Sequence, residues 1–209
     1  MATTTNDQEL LTAVNQILSS CGQAPVTATE DTNPDFAISK RTLLQVSQEV
    51  QSEGWTFNKE YNVETVFTDD KEILVTDEML QIKLSENSEN RDYDGVVRDG
   101  KLYDRIHHKS TKWTDFSNTN IKCDIIWLWD WKTIPEPIKS FIIARAATLV
   151  SQRIVGDPQQ YRMLQQQEAY ARATALEYET QQGQFTFFGH PQGQANYYQS
   201  YQPYQTLKR

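Results

Sequence analysis

Cysteine is scarce: Cys21 and Cys123 are the only two, and they stand far apart. With no second cysteine or histidine at ligand spacing, neither a disulfide framework nor a zinc site is expected, and reduced thiols in a cytoplasm are the default. Positive charge is also short, 20 Lys and Arg against 28 Asp and Glu, for a net charge of −8. That balance argues against a protein that wraps nucleic acid through neutralised phosphates, because such proteins carry a clustered basic surface. An acidic surface still suits a conduit that DNA must slide through without sticking.

Long apolar runs are missing too. The most hydrophobic stretch is interrupted by Arg145, and residues 1–11 lack a basic stretch followed by an apolar one, so neither membrane spanning nor secretion is expected. There is no Gly-rich phosphate loop, no His-Glu zinc helix and no Gly-flanked serine. No catalytic residue, metal ligand or cofactor is therefore assigned. His107-His108 is the nearest approach to a metal pair, but adjacent strand residues point to opposite faces and no third ligand is near. Asp69-Asp70 and Glu177 with Glu179 read as solvated charge, since acid/base work needs a pocket that parts their pKa values.

What is present is periodic. Leu10, Leu11, Val14, Ile17 and Leu18 line one face of a helix from about Asp7 to Ser20, with Asn6 and Glu9 spaced as a capping box and Gly22 as the stop. Asn33 and Pro34 should cap and open a second helix bearing Phe36, Leu43, Val46 and Val50, ended by Gly54. Helical spacing returns at Pro137. There Ile138, Phe141, Ile142, Ala146, Leu149 and Val150 cover more than one face before Gly156, so partners on several sides are needed and subunit contacts are expected among them. Arg145 could face a lumen, pair across a subunit boundary or simply reach water. Asp157-Pro158 should cap a fourth helix with the stripe Tyr161, Leu164, Ala171, Ala175 and Tyr178.

Between the second and third helices the pattern turns to short β-type runs: Tyr61 to Phe67, Ile73 to Thr76, Met79 to Leu84 and Ile121 to Trp131. Asp99-Gly100, flanked by Val-Val and Leu-Tyr, is a hairpin signal, because both residues tolerate positive φ. Its charged neighbours make this turn a candidate contact element. Trp127, Trp129 and Trp131 alternate along the last run, which places three indoles on one strand face, more for core packing than for a subunit contact.

Beyond Gln181 the composition shifts to Gln, Gly, Tyr and Phe, with Lys208 and Arg209 the only fixed charges. Such a tail cannot bury itself. Phe185, Phe187, Phe188, Tyr197, Tyr198, Tyr201 and Tyr204 are aromatic anchors of the kind that bind partner surfaces. The expected class is α+β: a four-helix bundle with a β-rich insertion between helices two and three and an extended C-terminal tail. The divisions fall at residues 1–58 and 134–181 for the bundle, 59–133 for the insertion and 182–209 for the tail.

The run Leu11 to Leu18 with Ser20, Gly22, Pro25 and Val26, then Gly54-Trp55-Thr56-Phe57-Asn58, Tyr103-Asp104-Arg105, Ile134-Pro135-Glu136 and Glu177-Tyr178-Glu179, resembles in order the motifs of tail tubular protein A, the head-to-tail adaptor family of short-tailed bacteriophages (podophages). The resemblance spans Leu10 to Glu179. It implies a structural virion protein of the tail, assembled in the host cytoplasm as a dodecameric ring between the portal and the nozzle (tail tubular protein B), near the tail-fibre attachment, with genomic DNA passing through. It implies no enzyme, no cofactor and no membrane partner. A nucleic-acid-binding helical module is the alternative, separated by salt-dependent retention on DNA. A small hydrolase is a third reading, separated by turnover lost on replacing His107 or His108.

Overall fold

The protein, seen in a computed structural model, is described at residues 2–27, 33–65, 68, 72–85, 93–110 and 121–183, with 2–6 as backbone only. Helices α1 (Ala2–Ser20) and α2 (Pro34–Gln51) come first. Strands β1 (Lys59–Glu64), β2 (Met79–Leu84), β3 (Gly95–Arg98), β4 (Lys101–Asp104) and β5 (Lys122–Trp127) follow. A 3-10 turn at Trp131–Thr133 then leads into α3 (Glu136–Ile154) and α4 (Pro158–Gly183). The expected α+β class is met.

Local chemistry sets these boundaries. Gly22, at φ +73, ends α1 in a double hydrogen-bonded cap: Gln23 N–H donates to Leu18 C=O at 2.9 Å and Gly22 N–H to Ser19 C=O at 3.0 Å. Asn33 Oδ1 accepts from Asp35 N–H at 2.9 Å, with Pro34 in the first turn where its missing donor costs nothing. Asp157 likewise accepts from Gln159 and Gln160 N–H at the start of α4. α1 already begins at Ala2, so Asn6, expected at its cap, lies inside the helix.

The larger core forms around α3. Ile138, Phe141, Ile142, Ala146, Ala147 and Val150 are buried against Val14, Ile17 and Leu18 of α1 and Phe36, Leu43 and Val46 of α2. Each fully buried large side chain contributes about 1.5–3 kcal/mol relative to exposure. α4 covers the remaining side with Ala171 and Ala175. The many-sided apolar character of α3 is met in large part by α1, α2 and α4 of the same chain.

A second, smaller core lies under the strands, from Ile73, Ile82, Leu102, Ile121, Cys123 and Ile125. Strands run antiparallel in the order β1-β5-β2, with β3 and β4 as a separate hairpin. The run expected at Ile73 to Thr76 makes only an isolated bridge, Leu74 with Lys101. β5 stops at Trp127, so the three indoles do not share a strand face. Trp127 is half-buried and donates to Glu60 Oε2 at 2.9 Å, Trp129 is 39% exposed, and Trp131 enters the helical core at 6%. The chain turns after Trp127 to begin the 3-10 helix, and strand alternation ends there.

Two buried amides join the cores. Asn58 donates through Nδ2 to the carbonyls of Gln51 and Trp127, both at 2.9 Å. Gln51, fully buried, donates through Nε2 to Trp129 C=O and Ser47 Oγ, and its Oε1 accepts from Trp129 N–H at 2.8 Å. The end of α2 is thereby tied to one end of the β1–β5 pair, where β1 begins and β5 stops.

Candidate functional site

The Asp99-Gly100 turn forms as its sequence requires. Asp99 has φ +50 and Gly100 φ +71, the pair of left-handed residues a two-residue hairpin needs, and Arg98 faces Lys101 across it. Val97 to Gly100 are all exposed. The base is held firmly: Val75 N–H donates to Gly100 C=O at 2.8 Å, Leu102 N–H to Ile73 C=O at 2.9 Å, and Lys101 pairs with Glu72 at 2.7 Å. The Arg98 guanidinium stacks 4.2 Å from the Tyr103 ring centre. The result is a rigid, charged, outward-facing tip.

Beside it, Asp104 is 1% exposed and organises the turn that follows β4. Its carboxylate accepts from the backbone N–H of Asp94 at 3.2 Å and of Ile106 at 3.0 Å, and pairs with His107 Nδ1. Burial alone would raise this carboxyl; the His107 hydrogen bond, the two backbone donors and the His107 charge outweigh it and hold it below its ordinary value. Arg105 reaches back to Asp94 Oδ2 at 2.6 Å. His107 and His108 therefore belong to a turn and not to a strand, with His108 at φ +55. The sequence signal missed here was an acid followed at three residues by a histidine just after a hairpin. Among the described residues no group of three or more His, Cys, Asp or Glu is placed to hold a metal.

The other short motifs also turn out to be joints. Asn15 clamps the segment after α1, its side chain exchanging two 2.8 Å hydrogen bonds with the backbone of Val26. Trp55 Nε1 donates to Val50 C=O at 2.7 Å. Glu179 accepts from Thr56 N–H at 2.8 Å and from its hydroxyl at 2.5 Å, tying the end of α4 to the chain between α2 and β1. Arg145 pairs within the chain, with Glu49 of α2 at 3.5 Å and Glu168 of α4 at 3.8 Å. Arg172 of α4 pairs with Glu53 at 3.1 Å. Charged side chains thus fasten α4 across α3 to the end of α2.

Both thiols are buried. Burial raises Cys21, with Asp35 adding to it, and pushes Cys123 up to about 12, with Asp124 adding to it, so neither is a nucleophile at neutral pH. The aromatic candidates Phe185, Phe187, Phe188, Tyr197, Tyr198, Tyr201 and Tyr204 lie outside the described residues, as do Asp69 and Asp70. Among the described residues no helix is long and apolar enough to cross a membrane.

The family model described as Tail tubular protein matches residues 11–185, a span that holds both cores and every joint named above. No curated protein matches the chain.

Proposed function

We propose that this chain, which belongs to the tail tubular protein family, is the A-type subunit: one of twelve in an adaptor ring that joins portal to nozzle, lets the genome pass and supports the tail fibres. A structural role in the virion tail follows from the family itself. The observation that carries the reading is the extent of that match, together with motif residues that serve as joints of the fold and leave its outer surfaces for contacts. Within it, residues 1–58 and 134–181 form a four-helix bundle, residues 59–133 its β-rich insertion, and residues 182–209 a docking tail assembled onto its partners in the host cytoplasm. The net charge of −8 suits a lumen past which DNA slides, since like charges do not adhere.

Asp99 and Gly100 are the hairpin contact in this proposal, because a braced, charged tip costs little ordering on docking and would cost much to bury unpaired. Phe185, Phe187, Phe188, Tyr197, Tyr198, Tyr201 and Tyr204 are the tail anchors, on portal or on a neighbouring copy. Negative-stain images of the protein mixed with portal test the reading. A collar ring on the portal is expected; unchanged portal particles at saturating protein would overturn it.

A further inference from the structure

Three of the charged side chains of α4 are engaged within the chain: Glu168 with Arg145 at 3.8 Å, Arg172 with Glu53 at 3.1 Å and Glu179 with Thr56. The other two, Arg162 and Glu177, are exposed and have no hydrogen bond or ion pair among the described residues. They are opposite in sign. Helical spacing puts both on one stripe with Gln166, Ala169, Tyr170 and Ala173, all exposed, on the side of α4 turned away from Ala171 and Ala175.

This stripe matches itself when reversed. About the midpoint between Ala169 and Tyr170, Arg162 lies as far back as Glu177 lies forward, and Gln166 as far back as Ala173 lies forward. A second α4 laid antiparallel on that midpoint therefore sets Arg162 of each copy against Glu177 of the other, Gln166 against Ala173, and the two Tyr170 rings side by side at the two-fold axis. Parallel pairing would set Arg162 against Arg162 and Glu177 against Glu177, so the charges select the antiparallel arrangement. Ala169 and Ala173 leave room for the two helices to approach. Tyr170, 78% exposed, and Met163, 65%, have the two highest values among the exposed large hydrophobics and supply apolar area that stays open to water in the single chain.

We infer that two copies of the free subunit associate through α4, antiparallel about Ala169 and Tyr170. The same surface serves on both copies, so the contact is isologous. Two helices meeting from Arg162 to Glu177 touch along about 24 Å and bury less than the roughly 1,200–2,000 Å² of a stable interface. The copies are therefore apart at micromolar concentration and pair as it approaches millimolar. Neighbours in a head-to-tail ring meet through two different surfaces, so this pair is a state of the free subunit and does not depend on the ring reading above.

Sedimentation equilibrium of the full chain, from micromolar to millimolar concentration, tests the inference. A species of twice the subunit mass is expected to grow in. Arg162→Glu sets a carboxylate against Glu177 at both ends of the contact and should weaken pairing about tenfold or more. Combining Arg162→Glu with Glu177→Arg restores opposite charges at both ends and should bring pairing back, with helical circular dichroism unchanged in either variant. Gln166→Cys with Ala173→Cys gives an independent reading. Within one chain these positions stand about 10 Å apart, too far for a disulfide, whereas across the pair they meet, and Cys21 and Cys123 are buried. Oxidation at millimolar concentration should link position 166 of one copy to position 173 of the other. A monomer that persists at millimolar concentration, pairing indifferent to Arg162→Glu, no recovery in the double charge reversal, or no link between positions 166 and 173 overturns the inference, and each of these outcomes leaves the ring reading standing.

Discussion

Replacing Asn58 by alanine tests whether the helical and β parts are held together by the amide joint. The side chain is fully buried and donates 2.9 Å hydrogen bonds to the carbonyls of Gln51 and Trp127. Its Oδ1 has no partner, so its removal costs nothing; the Gln51 carbonyl keeps the Gly54 N–H at 3.1 Å, and the loss is that of the two side-chain hydrogen bonds. Each buried hydrogen bond nets about 0.5–1.5 kcal/mol, so losing the two gives an expected destabilisation of about 1–3 kcal/mol. Asn58→Asp should cost more, because it replaces the donor by an acceptor facing two carbonyls in a site closed to water. Urea unfolding followed by circular dichroism for the helices and by tryptophan fluorescence for the joint, where Trp127 and Trp129 sit, reads both variants. An Asn58→Ala protein within about 0.5 kcal/mol of the parent would refute the reasoning.

Gly54→Ala should cost about 1–3 kcal/mol in the same unfolding assay, since the residue sits at φ +78 and an added Cβ would lie 2.7 Å from Ile126 Cδ1; an unchanged midpoint would show that the β1–β5 end shifts freely. Asp104 is held below its ordinary value, so its contribution is present above the usual carboxylate range and lost as pH falls through the depressed folded value. Asp104→Asn should flatten that acid-side fall in thermal melts taken from about pH 2 to pH 7, and an equally steep fall in the variant would exclude the clamp. Cys123, pushed up to about 12, should resist iodoacetamide at neutral pH in the native state and react in denaturant. Equal labelling rates in the two states would contradict its burial.

The helical half of the fold was legible because its signals are local. Caps at Asn33 and Asp157, the stop at Gly22 and the stripes of α1 and α2 depend on residues within a few positions of one another. The hairpin was legible for the same reason, its two positive-φ residues being adjacent. What the sequence hid are relations at long range. Apolar residues on several faces of α3 announce several partners but not whether they belong to the same chain, and the covering helices arrive from both ends of the sequence. Trp127, Trp129 and Trp131 keep the strand period after the strand has ended, so periodicity alone cannot locate the turn. Asn58 and Gln51 looked like ordinary polar residues beside Gly54 and Trp55, yet their amides meet partners about 70 to 80 positions away.

This arrangement bears on when the ring forms, and the isolated subunit is expected to be monomeric. Its apolar cores are closed by its own elements, and the exposed hydrophobics sit apart on different elements: Leu44 on α2, Leu74 and Ile106 in the β region, Met163 and Tyr170 on α4. Scattered side chains of this kind do not make a contiguous patch that drives association. Docking of residues 184–209 carries an ordering cost of about 1–2 kcal/mol per residue, so portal is the proposed template that brings neighbours together first. Sedimentation velocity of the pure protein at micromolar concentration should show a 24.2 kDa species. Truncation after Gln181 should leave that species and its helical circular dichroism unchanged while weakening attachment to portal. A closed ring from the pure protein would show that the subunit surfaces alone suffice for assembly, and would remove the need for a template.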